Sequence, residues 1–470
     1  MDLSKIQQQP IKITSRLHFY ISVSCGILLL IVVFFIFIAW STKHTLNGGA
    51  RLPEYFSACL LKAADIPIRV KDVFKIIRES NNPKGKDNPY HAIDYSATNI
   101  NNLRGGLLVS RIKSNGENEV LLINLSSKYQ KKIYNPKGVI AVDSYSDKVS
   151  DSETYRESSL SSGSRIWHPH ISSELKLVYT IPGNDLIAID LKNNHEVWRV
   201  YGAFHHSIEQ DSDGNYWVCA SVDSRPKSLK TLGEFGNGNL YQDNCIIKIS
   251  QSGKILLKIS ITKILIKNGL EHLLFGASNP DRNNDPIHLN QVSPILKDDG
   301  LLRKGQLLVS LRNLSTLLLV DPQNESIVWS KTGPWMNQHC VLPFSKSTIS
   351  ILDNHSFGSG QYWLMPTWQT RIISHNIESG ETQNIVDQIA PNTGLRIGIE
   401  GRALPFQKNG WIVEDSVFGT IFVLIENKIV FKWQNTYPGG EVGAVSWCRY
   451  VDENMLVDLE GSIKAPKVWQ

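Results

Sequence analysis

Histidines recur at one place in a repeated unit of this chain, and they are the residues with chemistry to offer. Trp167-His168-Pro169-His170-Ile171 carries two of them and Phe204-His205-His206-Ser207 two more. Ile287-His288-Leu289-Asn290 and Asn337-Gln338-His339-Cys340 carry one each, and Glu400-Gly401-Arg402 holds the corresponding place in a further unit. A single histidine in a β-domain is ordinarily a hydrogen-bonded core residue. The same strand position filled in four successive units asks for another explanation: a metal cage, an anion site or a nucleophile. Arg312, in Ser310-Leu311-Arg312-Asn313, bears on that choice. A fixed cation beside neutral imidazoles disfavours a divalent metal and favours an oxyanion, which a planar guanidinium grips through parallel N–H bonds. No GxSxG elbow, glycine-rich phosphate loop or HExxH pattern offers a competing chemistry, and the constellation calls for no cofactor and no metal.

What must position these residues is a strand–turn–strand element that occurs six times: Leu121–Asn135, Leu186–Val200, Ile246–Ser260, Leu317–Lys331, Ile372–Val386 and Ile421–Asn435. Each has alternating apolar residues around a turn of Asn, Gly, Ser or Lys, as hairpins require. Each follows a further apolar strand: Gly106–Arg111, Leu177–Thr180, Tyr216–Val222, Gln306–Arg312, Thr348–Asp353 and Gly410–Asp415. A polar turn and one more short strand precede these. Four antiparallel strands repeated six times predict an all-β, six-bladed β-propeller. In that fold the first strand of each blade lines the central channel, so the histidines converge near one end of it. Ala444–Asp458 reads as two more strands that complete the first blade.

The order of motifs resembles the bacterial arylsulfotransferase (aryl-sulfate sulfotransferase) family. The resemblance rests on Asp285-Pro-Ile-His288-Leu-Asn290, Leu308-Val-Ser-Leu-Arg312-Asn-Leu-Ser, Val320-Asp321, Val328-Trp329, Asn337-Gln-His339 and Leu352-Asp353-Asn354. It extends to His205-His206 with Asp213-Gly214-Asn215, and to Glu400-Gly401 with Asn409-Gly410. The resemblance implies a sulfuryl group moved from an aryl sulfate to a phenolic acceptor without a nucleotide donor, in a ping-pong cycle through a sulfohistidine. It implies that His339 is the histidine transiently sulfated, and that His288, Arg312 and His206 act with it. His205, His170, Asn290 and Glu400 are further candidates for substrate contact, with His206 expected to face the channel in preference to His205. A non-catalytic propeller that binds a polyanion or a partner protein is the alternative, and a histidine-bound metal hydrolase a weaker one.

The remaining sequence features concern location. Tyr20–Trp40 is an uncharged, Ile/Leu/Val/Phe-rich run with aromatic residues at both ends; at about 1.5 Å per residue it matches a bilayer core of about 30 Å. It is longer than the apolar region of a cleaved signal peptide. Lys5, Lys12 and Arg16 before it set the N-terminus in the cytoplasm. The expected organisation is a cytoplasmic tail 1–19, a transmembrane signal anchor 20–40, a stalk 41–90 and a propeller 91–470 in the periplasm or outside the cell. The formal charge of +5 on 470 residues gives nucleic-acid binding little support. Six cysteines with no CxxC spacing form neither a disulfide framework nor a zinc site.

Overall fold

The computed structural model describes residues 103–136, 145–148, 166–180, 184–222, 243–275, 285–359, 362–364, 370–385, 397–426 and 428–462. The expected anchor Tyr20–Trp40 and stalk lie outside the described residues. No described helix is long and apolar enough to cross a membrane.

The described chain is all-β and propeller-like. Four separate four-stranded antiparallel sheets are present. Three are simple meanders, running Leu289–Pro294 to Ser326–Thr332, His339–Ser345 to Thr382–Asn384 and Arg402–Phe406 to Lys428–Gln434. The fourth combines the two ends of the described chain. Val445–Val451 pairs with Gly106–Ile112, which continues through Asn118–Asn124 to Gln130–Tyr134. The strand expected to close the first blade is therefore present. Its expected companion is instead a helix, Glu453–Ser462. The Asp452 carboxylate accepts the Met455 N–H at 2.8 Å, which caps that helix, and Leu456 and Leu459 bury one face of it.

Apart from a short hairpin of Phe357–Ser359 with Tyr362–Leu364, the remaining described strands form one eight-stranded sheet, so two of the expected hairpins, Leu186–Val200 and Ile246–Ser260, share a sheet. The joint is His195–Gln210, sixteen residues long. Its earlier part pairs with Asn184–Asp190, and Ala203–Gln210 pairs with Tyr216–Val222. From Val197 to Phe204 buried and half-buried residues alternate without a turn-forming pair, so nothing in the sequence breaks the strand. Tyr145–Lys148 adds to the same strand in parallel.

One strand of each set touches the next to make a closed ring: Val445–Val451, Trp167–Ile171, His195–Gln210, Leu289–Pro294, His339–Ser345, Arg402–Phe406 and back to Val445–Val451. Apolar residues between neighbouring sheets form separate clusters, such as Trp217, Ile246, Leu289 and Val309 in one and Leu352, Ile412, Phe422 and Trp447 in another. Each fully buried Leu, Ile, Val or Phe contributes about 1.5–3 kcal/mol. These clusters hold the ring strands in register and so fix what they carry.

Candidate active site

Ring strands do not enter the ring in regular β geometry. Trp447, His168, His206, His288, Cys340 and Glu400, one residue in or just before each ring strand, have φ between 45° and 57°. Such left-handed backbone costs a non-glycine residue about 1–3 kcal/mol and persists only where the surroundings enforce it. In five of the six strands the pairing register also shifts near this point. The bulge explains why two adjacent residues, His205 and His206, reach the same place, although neighbours in a regular strand face opposite ways. Their Nδ1 atoms lie 2.8 Å apart.

The bulges gather the histidines. The His206 ring stands edge-on to His288 with centroids 5.0 Å apart, and to His168 at 6.1 Å. Trp167 meets His206 edge-on at 5.2 Å, and His168 stacks on Trp447 at 4.0 Å. Burial, then the neighbouring His205, His288, His168 and His339, push His206 well below the ordinary histidine range. Burial pushes His205 down to about 4, with His288 adding to it. The cluster is thus a set of mostly neutral imidazoles kept close enough to repel a second positive charge.

His339 and His288 are each oriented by a dedicated partner. The Asn354 amide donates to the carbonyls of Ile397 at 2.9 Å and Glu400 at 2.8 Å, which fixes which end of the amide is oxygen. Its Oδ1, 2.6 Å from His339 Nδ1, must therefore accept a proton from that nitrogen. His339 is 2 % exposed, and burial followed by the Arg312 charge lowers it to about 3. It is a neutral imidazole whose Nε2 carries the lone pair. His288 Nδ1 lies 2.5 Å from Asp285 Oδ2, and the other carboxylate oxygen accepts the His288 backbone N–H at 3.0 Å. Burial raises Asp285, but the bond from His288 and the nearby histidine charges outweigh it and hold the carboxyl at about 2. Asn244 Nδ2 also donates to it at 3.1 Å. An ionised Asp285 accepts only, so His288 donates through Nδ1 and leaves Nε2 to exchange protons.

Arg312 follows the strand Leu307–Leu311 and is 5 % exposed. Its backbone N–H donates to the His288 carbonyl at 3.0 Å, and Nη1 donates to Asn313 Oδ1 at 2.8 Å. Asn290, fully buried, donates to the Gln338 carbonyl at 2.7 Å and so steadies the residue before His339. Glu400 contributes its carbonyl to Asn354. His170 does not join the cluster: its Nε2 lies 3.3 Å from Gln210 Oε1, among Glu209, Arg402 and Arg449. Asp285 and Asn354 entered the sequence reasoning only within the motifs that carry the resemblance, Asp285-Pro-Ile-His288 and Leu352-Asp353-Asn354, and Trp167 only beside His168; none of the three was given a role at the site.

The ring brings His168, His205, His206, His288 and His339 together beside the buried Arg312, residue types whose chemistry suits an anionic group. The family model for arylsulfotransferase (ASST) matches residues 179–435, and the chain belongs to that family. That match takes in His205, His206, His288, Arg312, His339 and Glu400. No curated protein matches the sequence. Among solved structures, a protein of unknown function from Bacteroides caccae is 12% identical, with 73% of this chain and 98% of that one covered and a TM-score of 0.44. A streptogramin B lyase is 8% identical, covering 71% of this chain and 85% of its own at a TM-score of 0.37. Virginiamycin B lyase from Staphylococcus aureus is 11% identical, covering 58% and 71% at a TM-score of 0.33. Likenesses this loose carry no argument about activity.

Proposed function

We propose that the chain is a six-bladed propeller that transfers a sulfuryl group from an aryl sulfate to a phenol through a sulfated His339. The observation that carries the reading is the Asn354 bond to His339 Nδ1, because it reserves Nε2 for bond formation. Six blades are supported by the closed ring of six strands, by six left-handed residues in or just before them, and by the change of partner along His195–Gln210. On this reading the eight-stranded sheet is two blades that share one strand.

In the first half-reaction Nε2 of His339 attacks sulfur, the N–S bond forms and the S–O bond to the aryl group breaks. The electron pair leaves on the phenolate oxygen. His288 enters this step with a proton on Nε2 as well as on Nδ1, the Asp285 carboxylate balancing the charge, and passes the Nε2 proton to that oxygen. Arg312 faces the charge on the sulfuryl oxygens and stabilises it as it shifts toward the leaving group. In the second half the acceptor phenol gives its proton to His288 while its oxygen takes the sulfuryl group, and His339 returns to its starting form. Neutral His339 needs no deprotonation, so attack proceeds near pH 7. Tyr20–Trp40 is proposed to anchor the chain, with the catalytic domain on the non-cytoplasmic side.

The test mixes the purified full-length protein with an aryl sulfate. Release of phenol together with an acid-labile sulfated peptide containing His339 is expected, and both are lost in His339→Ala. Phenol without an adduct points instead to direct transfer or hydrolysis. No release from a range of aryl sulfates favours the binding-scaffold reading.

A further inference from the structure

The ring strands carry a second group of charges two or three residues beyond the left-handed positions. Glu209 lies between two guanidinium groups: Arg402 Nη2 donates to Oε1 at 3.3 Å and Arg449 Nη1 to Oε2 at 2.8 Å. Arg449 also donates to the carbonyls of Pro169, at 2.7 Å, and Ile208, while Arg402 donates to that of Cys448 at 2.8 Å. Two guanidinium groups carry ten N–H donors, and these bonds to oxygen use five of them. Arg402, 3 % exposed, also has a side-chain bond to Cys340 but no partner placed on Nε, and His170 has none on Nδ1.

These groups floor two adjoining cavities, of about 460 Å³ and about 350 Å³. Arg402, Arg449 and His170 line the larger, with Leu404 and Met455 as walls. Glu209 and Gln210 line the smaller, with Leu302 and Phe344, and Leu342 is the ridge common to both. Asp452 stands on the larger cavity's wall, its carboxylate engaged in capping the helix. Lys297 and Asp299 offset one another in the smaller. An apolar-walled hollow with a few convergent polar groups is the form of a small-molecule site. Guanidinium forks with donors to spare select a planar or pyramidal oxyanion.

We propose that these two cavities form a second small-molecule site, adjoining the histidine cluster through Trp447, whose ring meets Arg402 at 4.9 Å and His168 at 4.0 Å, for an organic anion with an apolar body. The anionic head is a carboxylate, sulfonate or sulfate ester held against Arg402 and Arg449. The body lies on Leu342, Leu404 and Met455. The site also bears on the histidines, because Arg449 grips the carbonyls one residue after His168 and two after His206.

p-Toluenesulfonate is the probe, since its carbon–sulfur bond offers nothing to transfer. Calorimetric titration of the full-length protein is expected to show two binding events per chain. Arg312→Ala should remove one of them and leave the other. Leu342→Glu sets a carboxylate facing the two arginines and should weaken the second event at least about tenfold, leaving the first intact. Met455→Glu does the same from the helix Glu453–Ser462, so a folding fault in one variant, read by its melting curve, does not decide the matter. A single event that disappears in Arg312→Ala overturns the proposal, as does a full second event in both glutamate variants. Failure of the proposed chemistry looks different: it removes the event sensitive to Arg312 and leaves the one sensitive to Leu342.

Discussion

Replacing Asn354 by alanine tests the chemistry at its most specific point. The Asn354 oxygen is the acceptor that holds the His339 proton on Nδ1. Without it a neutral imidazole is free to carry its proton on either nitrogen, and the form protonated on Nε2 cannot attack sulfur. The ring also loses the bond that fixes its angle. The lost hydrogen bond, together with an unsatisfied buried donor, amounts to about 1.4–2.7 kcal/mol, which is about a 10- to 100-fold loss in the sulfation rate. The assay is a single turnover of 4-nitrophenyl sulfate, with the burst of nitrophenolate reporting the first half-reaction. The Asn354 bond raises the His339 pKa against burial, so its removal lowers that pKa further, and any acid limb set by His339 should move to lower pH. An unchanged burst rate, or a slowed burst whose acid limb moves to higher pH, refutes the tautomer argument. Asn354 also ties down two carbonyls, so a fall in melting temperature is expected and does not discriminate.

Other outcomes follow from the same geometry. Arg312→Ala should lower kcat on the order of 10²–10³-fold and raise KM for the sulfate ester, measured at steady state, because charge stabilisation is lost most in the transition state. Asp285→Asn keeps an acceptor for His288 and removes the charge behind it. The loss should be about tenfold for sulfates of poorly leaving phenols and slight for 4-nitrophenyl sulfate, so an equal loss for both denies His288 its proton-transfer role. His170, His205, His206 and His339 have folded-state pKa values lowered below their unfolded value. The unfolded chain then binds more protons as pH falls through about 6.5 toward about 4. Each histidine contributes stability that is present above about 6.5 and lost below it, at up to about 1.4 kcal/mol per pH unit. Thermal melts should show a steep fall in Tm over that interval, and a flat profile contradicts the buried neutral cluster. If Tyr20–Trp40 is an uncleaved anchor, the protein should stay with membranes through an alkaline carbonate wash.

How far the sequence alone carried this reading depends on the range of the interactions involved. The six hairpins were legible because strand alternation and turn residues are local signals, and the strand Val445–Val451 was legible for the same reason. The sharing of His195–Gln210 between two hairpins was not, since a lone Gly202 in an otherwise strand-like run gives no sign of whether the chain turns there. Glu453–Ser462 was misread because its Asp452 cap and its helical spacing of Leu456 and Leu459 were weighed less than its apolar content. His206, His288, His339 and Arg312 were singled out as candidates from repeat position and resemblance, and the ring places them near one another. The preference for His206 over His205 assumed a regular strand, and a bulge with left-handed backbone brings both inward. The same reasoning from strand position drew in His170, which stands two residues beyond His168 and therefore at the other end of a short strand. Asp285 acts on His288 from three residues away, a spacing open to local reading, whereas the Asn354 bond to His339 spans fifteen residues, and the motif that holds Asn354 assigned it no role.

The pairing of Gly106–Ile112 with Val445–Val451 also has a temporal side. A chain that emerges N-terminus first makes Gly106–Ile112 more than three hundred residues before its partner. During that interval one edge of the first sheet is open, and its free N–H and C=O groups are a template for any other extended segment. Ring closure is then a late, long-range event with a slow entropic search. A chain interrupted before about residue 445 retains every histidine of the candidate site and yet presents an adhesive edge in place of a closed ring. Synthesis under conditions that slow late translation should therefore yield aggregates, and not partly active enzyme.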